Sequence, residues 1–314
     1  MQNIQSATTY ADQDQLLEQG LQSVEDAMFK VVNSDVTVLR DASTHILQAG
    51  GKRVRPRLLL LAYLASGGTD VEYASVPGAA VELMHTASVV HDDINDHGVV
   101  RRGRPSVNAK WGRTFALLTG DFLFTAVYAL MSPYGDLNRD LSASATALVE
   151  GETLQAWAVK NNEFTSENYM RIISLKTAEL FRAAGAIGAK LADAPDDVVD
   201  ALSSYAFNVG IAFQIIDDIL DIVGDEETLG KTSGIDVEQG RGFTAVNGNG
   251  NGANAEEVME SVKRKLMSGN RLQEAREQAQ HLIDMAIDGL HVLPDSPAKD
   301  GLVDLAHLII NRDR

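Results

Sequence analysis

Asp92-Asp93-Ile94-Asn95-Asp96 and Asp217-Asp218-Ile219-Leu220-Asp221 repeat one acidic pattern, with their first aspartates 125 residues apart. Each follows an apolar stretch: Ala87-Ser88-Val89-Val90-His91 before the first, Ile211-Ala212-Phe213-Gln214-Ile215-Ile216 before the second. On a helix, residues four apart share a face with Cβ atoms about 5–6 Å apart, so each pattern is expected to gather three carboxylates at one spot. Like charges so placed weaken an isolated helix by roughly 0.2–0.5 kcal/mol per pair. Burying them unpaired would cost several kcal/mol more. A cation must offset that, and an all-oxygen ligand set suits Mg²⁺ held between carboxylates and substrate phosphates. A solvated acidic face, the ordinary reading of a lone Asp-Asp pair, does not suit a pattern that recurs among Val, Ile, Phe and Leu.

The positive charges point the same way. The 314 residues carry a net charge of −17, which excludes the basic face that nucleic-acid binding requires. Yet seven of the 27 Lys and Arg residues fall in two short windows, Lys52-Arg53-Val54-Arg55-Pro56-Arg57 and Arg101-Arg102-Gly103-Arg104. The second begins five residues after Asp96. Arginine beside metal-binding carboxylates is what a polyphosphate substrate needs, because its planar fork grips phosphate oxygens in pairs.

The elements that must hold these residues are helical. Apolar residues recur at three- and four-residue spacing over about 12–30, 36–48, 56–67, 72–94, 113–131, 139–160, 166–190, 197–223, 255–268, 272–291 and 299–311. Period-two alternation is not sustained anywhere, and turn residues cluster at Gly67-Gly68, Pro133-Tyr134-Gly135-Asp136, Asp193-Ala194-Pro195 and Pro294-Asp295-Ser296-Pro297. The expectation is one all-α domain over 1–314, a bundle of ten or more helices, with both acidic motifs near the ends of long core helices. Asn247-Gly248-Asn249-Gly250-Asn251-Gly252-Ala253-Asn254 has no apolar anchor, so 244–254 is expected to be a flexible loop. It lacks the strand and the Lys-Ser/Thr that would make its glycines a phosphate loop. The absence of cysteine excludes disulfides and fits a reducing cytoplasm. Met1 to Gln15 lacks the apolar core of a signal peptide, and the longest apolar run, Leu58 to Ala65, is far short of the roughly 18–20 residues of a membrane span.

Taken together, the motifs resemble those of the trans-isoprenyl (polyprenyl) diphosphate synthases. The likeness runs from about residue 40 to the C-terminus. It is carried by Gly50-Gly51-Lys52-Arg53-Val54-Arg55-Pro56, by Glu82 through Asp93, and by Arg101-Arg102-Gly103-Arg104-Pro105. Lys176-Thr177-Ala178, Phe213 through Asp221 and Leu229-Gly230-Lys231 complete it, in the family's order. After Lys231 the chain departs from the family pattern: Gly240-Arg241-Gly242-Phe243 runs into the Asn/Gly tract without the usual proline, which leaves the lid over the second motif in question.

The resemblance implies an isoprenoid-synthase fold around a central cavity and head-to-tail condensation of an allylic diphosphate with isopentenyl diphosphate. It implies Mg²⁺, three ions per site and replaceable by Mn²⁺, with Asp92, Asp96 and Asp217 as direct ligands and Asp93, Asp218 and Asp221 acting through water. Arg101, Lys176 and Lys231 would hold the allylic diphosphate, with Thr177 and Gln214 close by. Lys52, Arg53, His85 and Arg102 would bind isopentenyl diphosphate. A homodimer paired through 113–131 and 139–160 is implied too, as is peripheral membrane contact for product release. His85 alone on an apolar helix would more often be a core residue, but it stands two turns before Asp92 on the same side; His91 and His97 are read as structural. Two rivals remain. A class I terpene cyclase has no use for Lys52-Arg53-His85-Arg102, and a non-catalytic subunit of a heteromeric synthase usually loses aspartates.

The resemblance also implies that the growing chain runs beside the helix of the first motif, so that product length depends on the residues before Asp92. Ala87 and Ser88 lie about 6–7.5 Å back along the helix, at 1.5 Å per residue. Both are small, so a channel should pass them towards Met84 and Ala80, floored by Met84 or by Phe122, Phe124 or Tyr128. This favours products from hexaprenyl to decaprenyl, with geranylgeranyl as the alternative.

Overall fold

The computed structural model describes residues 10–161, 165–223 and 271–312. Nearly every segment is the helix its periodicity predicts: α1 Tyr10–Val31, α2 Thr37–Gln48, α3 Val54–Ala65 and α4 Val71–Asn95. Then follow α5 Val107–Trp111, α6 Arg113–Met131, α7 Leu137–Asn161 and α8 Ser166–Ile173. The remainder are α9 Glu179–Leu191, α10 Asp196–Val223, α11 Arg271–Gly289 and α12 Pro297–Ile310. The helix expected at 255–268, the loop at 244–254, Arg241 and Lys231 lie outside the described residues.

Side-chain caps open several helices. Asp70 accepts from the Tyr73 amide at α4, and Ser106, Thr165 and Ser296 do the same at α5, α8 and α12. Two features break the expected regularity. The expected 166–190 helix is interrupted by a π-turn at Ser174–Ala178, between α8 and α9. Between α4 and α5 a small antiparallel hairpin, Val100–Arg101 with Arg104–Pro105, carries the second basic window.

α4 is the axis of the molecule. It is buried for most of its length and packs against α1, α3, α6 and α9. Pro77 lies inside it and cannot donate to the Tyr73 carbonyl four residues back; the Tyr134 hydroxyl donates there instead, at 2.8 Å. The lost helix bond thus becomes a tie between α4 and the turn after α6. α3 contributes Leu58, Leu59, Leu60 and Leu61, all nearly inaccessible, each worth roughly 1.5–3 kcal/mol of burial. Tyr205 of α10 is fully buried and donates to the Leu302 carbonyl of α12 at 2.6 Å.

By length and composition alone, Arg113–Tyr134 and Asp196–Asp221 would each cross a membrane, although no unbroken apolar run marks them in the sequence. α10 packs against α9 and α11, and one face of α6 packs on α4. The other face of α6 exposes Phe115, Leu117, Leu118 and Tyr128, and α7 beside it in sequence exposes Val149 and Trp157.

Candidate active site

The C-terminal ends of α4 and α10 face each other across a polar cavity of about 200 Å³. From α4 it is lined by His85, Ser88, Val89, Asp92 and Asp96, the repeat of three and four that places residues on one side of a helix. From α10 come Phe213, Gln214, Asp217 and Asp221. The π-turn brings Lys176 and Thr177 to the same wall, the hairpin brings Arg101, and α3 brings Arg55.

The second aspartate of each motif behaves differently from expectation. A residue one step along a helix is turned by about 100°. Asp93 is accordingly buried, and its Oδ1 accepts from Arg101 Nη2 at 2.6 Å and Nε at 3.1 Å. Burial pushes the Asp93 carboxyl above its ordinary value against the pull of Arg101. Burial alone would lower Arg101, but Asp93, Asp92 and Asp96 outweigh it and raise the guanidinium above its usual range. Asp218 is also buried. It accepts from the Tyr169 hydroxyl at 2.7 Å and from Gln214 Nε2 at 3.0 Å, and the Gln214 carbonyl accepts from Thr177 at 2.7 Å. The motifs therefore present two cavity carboxylates each, and Asp93 and Asp218 aim Arg101 and Gln214.

The basic residues also separate. Arg53, expected to bind isopentenyl diphosphate, is buried and does not line the cavity. Its Nε donates to Glu25 at 2.5 Å and its Nη1 to Glu82 at 2.9 Å, tying the loop before α3 to α1 and α4. Arg55 takes the cavity position. It is buried over the Phe181 ring, 4.6 Å from the centroid, and over the more distant Phe213. Burial lowers its guanidinium to about 10, with Arg102 adding to the effect.

His85 is held well below its ordinary value by burial and by Arg55, Arg102, Arg101 and Arg53, so the ring is neutral. Lys52 is exposed and is lowered by partial burial and by Arg312, against the pull of Asp217. Arg102 lies against Gly51: at φ +154 a Cβ there would stand 2.6 Å from Arg102 Nη1, so the two basic windows meet. The hairpin is fastened from α2 by His45 Nε2, which donates to the Pro105 carbonyl at 2.8 Å.

Three further side chains, Glu152, Tyr169 and Arg312, join the site without a motif to announce them. Glu152 of α7 pairs with Lys176 Nζ, which also lies 3.5 Å from Asp92 Oδ2. Burial and Asp92 push the Glu152 carboxyl up to about 7, against Lys176. Arg312, beyond α12, stacks over Phe213 at 4.7 Å and approaches Asp217 at 3.6 Å. Arg55 lay in a quoted motif, and only the start of α3 separates it from Arg53. Nothing local in the sequence marks Glu152, Tyr169 or Arg312.

Of the chain-length residues, Ser88 lines the cavity. Ala87 is fully buried off it, and Met84 packs in the core with its sulfur 3.7 Å from the Ser144 hydroxyl. Tyr128 is 60% exposed and so is no floor within this chain. Phe124 stacks on His91.

Among the described residues, no three His, Asp or Glu side chains converge closely enough to enclose an ion by themselves. Asp92, Asp96, Asp217 and Asp221 nonetheless offer oxygen donors alone, from both sides of one polar cavity. That set fits Mg²⁺, which keeps several waters and takes one or two carboxylates together with substrate phosphates.

Comparison with known proteins places this architecture. Residues 36–279 match the family model described as polyprenyl synthetase. The chain is 34% identical over 322 residues to the octaprenyl diphosphate synthase of Escherichia coli (strain K12), covering 96% of this chain and 98% of that protein. It is 34% identical to the geranyl-diphosphate-specific all-trans-nonaprenyl-diphosphate synthase of Rhodobacter capsulatus, covering 98% and 95%. A crystal structure of a polyprenyl synthase from Caulobacter crescentus CB15, complexed with calcium and isoprenyl diphosphate, superposes with a TM-score of 0.91 at 29% identity. It covers 99% of this chain and 100% of that one.

Proposed function

The chain belongs to the polyprenyl synthetase family and is a trans-prenyltransferase, and from its cavity we propose a Mg²⁺-dependent synthase that adds isopentenyl diphosphate to an allylic diphosphate, making products longer than farnesyl. The observation that carries this is the division of one cavity into two electrostatic sides. Asp92, Asp96, Asp217 and Asp221 line it with Lys176 and Arg101, and Arg55 and His85 line the rest.

In this reading Lys176 and Arg101 receive the allylic diphosphate, and Gln214, held by Thr177 and Asp218, contacts it. Arg55, Lys52, His85 and Arg102 receive the diphosphate of isopentenyl diphosphate, with Arg55 in the place first given to Arg53. Lys231 is proposed to join the allylic side. The allylic C–O bond breaks with its electron pair leaving on the diphosphate. The isopentenyl double bond then forms the new C–C bond, and one proton is lost. Divalent cations at the aspartates, three per site with Mn²⁺ able to replace Mg²⁺, would supply charge neutralisation for the departing group. The side chains contribute fixed positive charge that needs no reorganisation as the bond breaks.

At about 200 Å³ the cavity is smaller than the roughly 300–1,000 Å³ of ordinary ligand pockets, so it accommodates head groups and little tail. A growing chain would have to pass Ser88 and part α4 from its neighbours towards Met84; the likeness to octaprenyl and nonaprenyl diphosphate synthases supports hexaprenyl to decaprenyl products ahead of geranylgeranyl. The exposed apolar faces of α6 and α7 support a homodimer. A cytoplasmic enzyme delivering its apolar product by peripheral membrane contact completes the reading. The cyclase alternative leaves the arginine-histidine side idle, and the non-catalytic subunit alternative leaves all six aspartates unexplained.

The test is to incubate the purified chain alone with labelled isopentenyl diphosphate and geranyl or farnesyl diphosphate, with Mg²⁺ or with chelator, and to chromatograph the dephosphorylated products. Alcohols longer than farnesol, formed only with metal, support the proposal. Farnesol as sole product overturns the length assignment, and no incorporation overturns the activity.

A further inference from the structure

Glu152 belongs to none of the motifs, yet it grips Lys176, the one lysine lining the cavity among the described residues. α7 crosses the π-turn at Gly151, where a Cβ would stand 2.8 Å from the Lys176 amide nitrogen. This close crossing lets the next residue, Glu152, reach the Lys176 ammonium. Glu152 does not line the main cavity. It lines a second hollow behind the wall, with Asn95, His97, Arg113 and Gln155, and touches Lys176 from that side. Lys176 itself lines the main cavity, 3.5 Å from Asp92.

We propose that Glu152 is a positioning residue, holding the Lys176 ammonium from behind at the height of Asp92 and so aiming it at the diphosphate that leaves. A lysine side chain gives up much of its rotamer freedom when fixed, so an unanchored ammonium is a poor preorganised charge. Fixed charges stabilise a departing anion because they need not move when it forms. Without Glu152, Asp92, 3.5 Å away, would draw the ammonium, which would occupy a residue assigned to metal.

The inference rests on the assignment of Lys176 to the allylic diphosphate, and its test separates the two. Steady-state rates of the full chain at saturating Mg²⁺ and isopentenyl diphosphate are compared for wild type, Glu152→Ala, Glu152→Gln, Lys176→Ala and the double alanine variant, with thermal melts confirming folding. Glu152→Ala is expected to lower kcat about tenfold, to leave the KM for isopentenyl diphosphate within about twofold, and to have no further effect in the Lys176→Ala background. Glu152→Gln still accepts a hydrogen bond from Lys176 and should restore most of kcat. Should the alanine variant unfold, Glu152→Met, similar in volume, replaces it in the cycle. An equal loss in both backgrounds, or a Gln variant as impaired as the Ala variant, overturns the inference. An unimpaired Lys176→Ala overturns the assignment of Lys176 instead.

Discussion

Arg53 Nη1 donates to Glu82 Oε1 at 2.9 Å, with both side chains buried. This pair, with Glu25 on the other edge of the guanidinium, makes Arg53 a structural tie and leaves the cavity to Arg55. Arg53→Ala should therefore act on stability. It strands Glu82, and breaking a buried pair costs about 3–5 kcal/mol. A denaturant midpoint that falls sharply, with the KM for isopentenyl diphosphate nearly unchanged in the folded fraction, is the expected outcome. Arg55→Ala should show the opposite balance, raising that KM at least about tenfold, the loss of one charged contact to phosphate. Interchanged results would return Arg53 to the substrate.

His85 should act as a neutral hydrogen-bonding group, because burial and four arginines keep the proton off its ring. Glutamine can replace it in that role. His85→Gln should keep kcat within about fivefold, whereas His85→Lys, adding charge beside Arg55 and Arg102, should lose far more. The unfolded chain binds the histidine proton near 6.5 and the fold does not, so stability falls as pH drops through 6.5. Unfolding free energy measured from pH 7.5 to 5.5 should lose part of that slope in His85→Gln. An unchanged slope would show that the ring protonates in the folded enzyme.

Ser88 is the chain-length residue that faces the cavity, and Ala87 is packed in the helix interface. Ser88→Phe should shorten the product while leaving the first condensation intact. Ala87→Phe should chiefly destabilise, by roughly 1–3 kcal/mol for overpacking. Product chromatography beside a thermal melt distinguishes them: shortening by Ala87→Phe with an unchanged melt would place the channel on the other side of α4.

The facing helix ends were legible because a period of 3.6 is written into α4 and α10, and Asp92 with Asp96, and Asp217 with Asp221, follow from it directly. The same period turns Asp93 and Asp218 by about 100° from these, which the expectation of three carboxylates at one spot overlooked, and it does not say towards what. Their partners, Arg101 and Tyr169, are set by packing between segments up to 49 residues apart. Four basic residues within six are equivalent as letters. The left-handed φ of 46° at Arg53 and the start of α3 at Val54 send Arg53 inward and Arg55 to the cavity. No residue type signals the π-turn at Ser174–Ala178, so the sequence matched Lys176 without showing how it is aimed.

The central claim is that both helix ends build one metal-and-diphosphate site. It is tested most directly by the Mg²⁺ dependence of isopentenyl incorporation by wild type, Asp92→Ala and Asp217→Ala. The account expects no turnover in chelator, recovery with Mg²⁺ or Mn²⁺, and a fall in kcat of at least about 10²–10³ in each variant, the scale of losing a major electrostatic stabiliser. Turnover that persists in excess chelator, or near-wild-type rates in both variants, would contradict it.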